Sequence, residues 1–202
     1  MKLSSSNWVS EFNEIKMLGA ATGSSRTQEQ TDIARFWSTN VIAQYNQAVR
    51  DVAAARGLSV LETARLMAMV NVVGADAQIA CMNAKYHYAF WRPVTAIDPS
   101  SVSATDGGPA VGFDDGNPAT AEMPGWRPLL TTPNHPEYPA AHGSLTGAMA
   151  DVFTYFFNTP NIDLTLTSTI VPTMKTRHFA TADDLRNEIV LARLWAGLHY
   201  RS

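Results

Sequence analysis

Residues 59 to 93 constrain the fold more than any other stretch of this chain. Ser59-Val60-Leu61-Glu62 is a capping box, in which the Ser hydroxyl and the Glu carboxylate satisfy each other's backbone N–H groups at a helix start. Behind it Leu61, Ala64, Leu66, Met69, Val72 and Val73 recur at helical spacing, which predicts a long helix. The far end reads Lys85-Tyr-His-Tyr-Ala-Phe-Trp-Arg92-Pro93. Pro93 lacks an N–H and crowds the preceding turn, so the helix is expected to run no further than Trp91, with Gly74 and Asp76 as the places where it could bend. Lys85 and Arg92 stand about two turns apart, and on this reading both project from one face of the helix.

The remaining sequence is also helical in pattern. A second capping box, Thr27-Gln28-Glu29-Gln30, opens a helix expected to reach about Arg56, where Gly57 stops it. Residues 1–26 carry Ser, Gly and Thr without a sustained period and read as an arm or loop. Residues 94–138 hold seven prolines (Pro99, Pro109, Pro118, Pro124, Pro128, Pro133 and Pro136) and read as a long ordered loop covering a site. Helix is expected again over Gly143–Phe157, over a short stretch at 165–175, and from Thr181 onward, with Thr181-Ala-Asp183-Asp184 as its cap. No strand-like alternation competes. The expectation is an all-α fold, a helical bundle spanning residues 27–202 as one domain.

With 202 residues, 46% apolar and 16% charged, the chain can bury a sizeable core. A net charge of −3 gives no electrostatic reason for a nucleic-acid partner. The lone Cys81 excludes an internal disulfide framework and a cysteine zinc site. No run reaches the roughly 20 apolar residues of a membrane span, and no signal-peptide pattern opens the chain, so no membrane partner is expected.

Three groups of residues carry chemistry. Tyr86, Tyr88, Phe90 and Trp91 surround Lys85 and Arg92 with aromatic side chains, which implies burial. Buried cations need a counter-charge, and the nearest carboxylates along the chain are Asp76 and Asp98, so a bound anion is expected. His142 follows Pro139-Ala140-Ala141 at a predicted helix start, where backbone N–H groups and the helix dipole favour an anion and a histidine can act as general acid. Arg193 and His199 are read as sharing the final helix, about 120° apart around its axis. His87, His135 and His178 are read as structural. A divalent-metal site is not expected, since there is no His-x-x-x-His and Asp106, Asp114 and Asp115 lie in the loop.

Taken in order, these segments resemble the vanadium-dependent haloperoxidase and type 2 phosphatidic acid phosphatase superfamily. Its signature is Lys-x6-Arg-Pro, then Pro-Ser-Gly-His, then Ser-Arg-x5-His-x3-Asp. Lys85, Arg92 and Pro93 match the first part in full. Pro139 and His142 match the second, with Ala140 and Ala141 in place of Ser-Gly; Arg193 and His199 match the third, with Ala192 in place of Ser. The wording Phe90-Trp91-Arg92-Pro93 is most similar to the chloroperoxidase-type branch.

The resemblance implies that Lys85, Arg92 and Arg193 bind the equatorial oxygens of vanadate or phosphate, assisted by the backbone at Ala141 and Gly143. It implies His199 as the axial group, a vanadium ligand in a peroxidase or a nucleophile in a phosphatase, and His142 as acid–base catalyst. Lys85 would polarise the oxygen that halide attacks. The implied partners are hydrogen peroxide and halide or, in a phosphatase, a phosphate ester; a homo-oligomer is among the expectations. An inactive oxyanion-binding helical domain is the further alternative, motivated by Ala140 and Ala192. The family's closing aspartate would fall one residue beyond Ser202, so the chain is expected to be a fragment.

Overall fold

The computed structural model describes residues 2–101 and 115–201; the middle of the Pro-rich loop, with Asp106 and Asp114, lies outside the described residues. The elements in chain order are α1 (Ser6–Leu18), α2 (Gln28–Phe36), α3 (Val41–Ala55), α4 (Val60–Tyr88), α5 (Pro93–Ile97), α6 (Ala141–Phe157), β1 (Leu164–Thr167), β2 (Thr176–Phe179) and α7 (Ala182–Trp195). The fold is predominantly helical, as the apolar periodicity predicts. The chain divides into two compact units, one of residues 1–31, 85–138 and 191–202, the other of residues 32–84 and 139–190.

The first unit is built around α1, inside the stretch expected to be an arm or loop. Trp8, Phe12 and Ile15 recur at helical spacing and are buried with Ala96, Ile97, Trp126 and Tyr200. Ser5 caps the helix by accepting from the Trp8 N–H. Three apolar anchors in 13 residues give a weak period, and tertiary burial decides the outcome. The chain then crosses itself. A Cβ on Gly19 would lie 2.6 Å from the Gly197 Cα, and Gly197 has φ +77°, so only a bare backbone fits at this crossing. Arg26 braces it, donating to the Ala20 and Trp195 carbonyls at 3.2 and 3.0 Å.

In the second unit Asn40 interrupts the helix expected over 27–56. Its side chain accepts from the Ile42 and Ala43 N–H groups and starts α3 afresh. Gly74 does not break α4; a Cβ there would meet Leu145 and Met149 at 3.2 and 3.3 Å, so the glycine lets α6 pack closely. The short helix expected at 165–175 is replaced by an antiparallel hairpin, β1 on β2, with Leu164 opposite Phe179. Leu164 and Leu166 point inward while Thr165 and Thr167 stay exposed, a period of two too short to stand out in sequence. Thr181 and Asp184 form the expected reciprocal cap of α7.

By length and composition alone, the helical stretch Val60–Ile97 is long and apolar enough to cross a membrane, its best window reaching a mean hydropathy of 1.2. That departs from the expectation that no stretch qualifies. Core helices of non-membrane proteins meet the same measure.

Candidate oxyanion site

Lys85, Arg92, Arg193 and His199 all fall in the first unit, and all four are buried. Their placement differs from the helical reading. α4 stops at Tyr88, where Ala89 takes φ +47°, and Arg92 is the N-cap of α5, with Pro93 as its first residue. Lys85 and Arg92 therefore do not share a helix face; a reversal of the chain brings them together. α7 likewise ends at Trp195, so Arg193 lies in its last turn and His199 beyond it, not on one helix. Gly197 supplies the left-handed residue that releases the chain.

What Lys85 and Arg92 hold is the segment His135–Glu137. The Lys85 ammonium donates to the Pro136 and Glu137 carbonyls at 2.7 and 2.8 Å. Arg92 donates through Nε to the His135 carbonyl at 3.0 Å and through Nη1 to the Leu198 carbonyl at 2.9 Å. The Glu137 N–H donates to the Phe90 carbonyl at 2.8 Å, closing the strap from its other side. The Glu137 carboxylate lies 2.7 Å from His199 Nδ1, and the Tyr200 N–H donates to the same oxygen at 3.3 Å.

The electrostatics follow from burial. Desolvation lowers the guanidinium pKa of Arg92 to about 10, with the Glu137 charge opposing it. Arg193 is also lowered to about 10, by desolvation and then by the charge of Arg92. Both stay charged at neutral pH. Burial pushes the Glu137 carboxyl up to about 7 against the pull of Arg92, the Tyr200 N–H and Lys85. His135 is lowered by desolvation and by the charges of Arg92, Lys85 and Arg193, so its ring is neutral at neutral pH.

Two of these residues were not singled out by sequence. His135, read as structural, meets Arg92 Nη2 through its Nδ1 at 3.0 Å. Glu137 is the missing counter-charge; it lies too far along the chain from Arg92 for a search among neighbours, although its place two residues before Pro139 in the second motif was a usable signal. Asp98, the nearest downstream carboxylate, pairs instead with Arg127 at 2.5 Å. His178 lies exposed on the hairpin, 3.5 Å from Asp163, and His87 is exposed against Tyr88.

His142, Ala141 and Gly143 belong to the second unit, where they are the first three residues of α6. Ala140 is the N-cap and makes no side-chain capping bond. The N–H groups of Ala141 and Gly143 have no acceptor within the helix, which is the general condition of a helix start. Among the described residues no three His, Cys, Asp or Glu side chains cluster as a metal site. Against Glu137 lies an aromatic cavity of about 490 Å³, lined by Trp8, Glu11, Tyr88, Phe90, Tyr138 and Tyr200.

The structure thus places three buried cations and a buried imidazole together in one unit of a predominantly helical fold. Comparison with known proteins makes the class specific: residues 65–202 match the VCPO second helical-bundle domain, and the chain belongs to this vanadium haloperoxidase family. It is 25% identical to the vanadium chloroperoxidase of Curvularia inaequalis over 90% of its own length and 37% of that protein's. Among solved structures, the first bacterial vanadium-dependent iodoperoxidase is similar with a TM-score of 0.72 and 24% identity, over 100% of this chain and 46% of that one. An apo-type bacterial vanadium-dependent chloroperoxidase gives a TM-score of 0.70 at 23% identity, over 95% and 43%. These low identities speak for the fold, and the chain spans less than half the length of each relative.

Proposed function

We propose that the chain carries the oxyanion pocket of a vanadate-dependent haloperoxidase, which oxidises halide with hydrogen peroxide. The observation that carries this reading is the burial of Lys85, Arg92 and Arg193 in one unit with His199, where Lys85 and Arg92 donate to backbone carbonyls. Carbonyls satisfy donors without cancelling charge, and the Glu137 carboxylate is one counter-charge beside Arg92. A multiply charged oxyanion is a ligand that a group of buried cations suits.

Vanadate, the group these residues fit, supplies when bound the activation of hydrogen peroxide, without haem or a change in its own oxidation state. Lys85, Arg92 and Arg193 would bind its oxygens, and the backbone N–H groups of Ala141 and Gly143 are proposed as further donors. His199 would hold the vanadium through Nε2. His142 would serve as the general acid–base for hydrogen peroxide, a task suited to an imidazole near neutral pH. The Ala140 N-cap, which lacks the family's hydroxyl, favours one competing reading, a helical domain that binds oxyanions without turnover.

The test titrates the protein with orthovanadate while bromination of phenol red and hydrolysis of p-nitrophenyl phosphate are followed in parallel. Bromination that requires vanadate and disappears in His199→Ala supports the proposal. Vanadate-inhibited hydrolysis would move the protein to the phosphatases. Vanadate binding with neither activity would leave the inactive reading standing, and no vanadate binding would sink the pocket itself.

A further inference from the structure

We infer that Glu137 is the positioning residue of this site: its carboxylate holds the His199 imidazole in the tautomer that carries its proton on Nδ1 and its lone pair on Nε2. The inference rests on the oxyanion reading above and names a residue from outside the three sequence motifs.

The tautomer follows from the donors. Arg92 Nη1 lies 3.0 Å from His199 Nε2. A guanidinium can only donate, so Nε2 is the acceptor and a neutral ring must carry its hydrogen on Nδ1. Nδ1 lies 2.7 Å from the Glu137 Oε1, and both side chains are 4% exposed, so water does not substitute for the carboxylate. An imidazole whose far nitrogen is held by a carboxylate is fixed in orientation and is the more basic at its other nitrogen.

Glu137 is in turn rigidly placed. Its own carbonyl and that of Pro136 accept from Lys85, its N–H donates to Phe90, and the neighbouring His135 carbonyl accepts from Arg92. The two cations that were expected only to grip an anion thus also aim the carboxylate that orients the imidazole. A side chain placed merely to offset nearby positive charge would not need an oxygen directed at Nδ1, nor the Tyr200 N–H on that same oxygen.

The test uses 15N-histidine-labelled protein without ligand, with His199→Gln to assign the ring signals, together with orthovanadate titration. The native ring is expected to show the Nδ1–H tautomer. Glu137→Gln, whose carbonyl can still accept, retains it and loses a few-fold in vanadate affinity. Glu137→Ala shifts the ring toward the Nε2–H form and loses on the order of 10–100-fold in affinity, the range for second-shell partners of a ligating histidine. An Nε2–H ring in the native protein overturns the inference, whether or not the alanine variant folds. So does a folded Glu137→Ala with unchanged tautomer and affinity. If native protein shows the Nδ1–H ring yet binds no vanadate, the oxyanion reading fails while the positioning of His199 stands.

Discussion

The strap at His135–Glu137 and the start of α6 both have backbone groups outside regular helix or sheet pairing, and these are served in opposite ways. In the strap the carbonyls of three successive residues accept from Lys85 or Arg92, and the His135 and Glu137 N–H groups reach the Pro133 and Phe90 carbonyls. At α6 the cap is an alanine with no side-chain oxygen to offer the first turn. The carbonyl side is better served, with Gln78 donating to Ala141 and Cys81 to Pro139. The contrast separates two tasks that one set of motifs would lump together. The strap is held from within by two buried cations, whereas the first turn of α6 has no side-chain cap.

Breaking the saturated side should have the largest effect. Lys85→Met leaves two buried carbonyls without their donor and is expected to cost about 2–6 kcal/mol, since each such orphan costs about 1–3 kcal/mol. Urea unfolding measures it, and a loss below about 1 kcal/mol would show that the strap does not depend on the ammonium. Trp8→Ala tests the packing beneath the same region, because Trp8 meets Phe90 edge-on at 6.0 Å and lies 5.0 Å from Tyr200. A loss of about 3–5 kcal/mol is expected for a buried tryptophan. A surface-like value in thermal unfolding would return residues 6–18 to the status of an arm.

The unsaturated side is sharpened by Ala140→Ser, which restores a cap oxygen. A gain of about 0.5–2 kcal/mol in stability is expected. Orthovanadate affinity should rise on the order of tenfold in the same variant if the hydroxyl reaches the anion; a stability gain with no change in affinity would confine its role to capping.

The smallest effect is expected at Asp98. Burial raises its pKa, but hydrogen bonds from Ser100, Arg127 and Gly125 outweigh that and hold it below the ordinary carboxylate value. A depressed carboxylate adds stability above its unfolded value of 3.8, lost as pH falls through its lower folded value. Asp98→Asn should therefore flatten the acid limb of the stability–pH curve. The change should be small, because Arg127 is more than half exposed and solvent screens the pair.

Much of this was legible in sequence where the signal is local. The capping boxes at Ser59 and Thr181, the run of α4 and the extent of α6 follow from neighbours within a few residues. The motif residues Lys85, Arg92, Arg193 and His199 were legible as a set, and they do share one unit. Their mutual geometry was not, because it depends on chain reversals at Ala89 and Gly197, where backbone conformation follows from packing across distant segments. Glu137 escaped for the same reason: its partner His199 lies 62 residues away. The hairpin was missed because four-residue strands carry too little alternation to outweigh a helical background.

The glycine crossing near α1 also bears on the order in which the molecule comes together. Contacts that set His199 span 107 residues to Arg92, and those bracing the adjoining turn span 169 residues from Arg26 to Trp195. Arg201 reaches Glu14 across 187 residues. Loops of that length close late, after local helices have formed, because their entropy is spent before their contacts repay it. On the proposed oxyanion reading, vanadate affinity would report the last stage of folding. A lesion in the first twenty residues should then leave helical circular dichroism nearly intact while refolding molecules regain that affinity slowly.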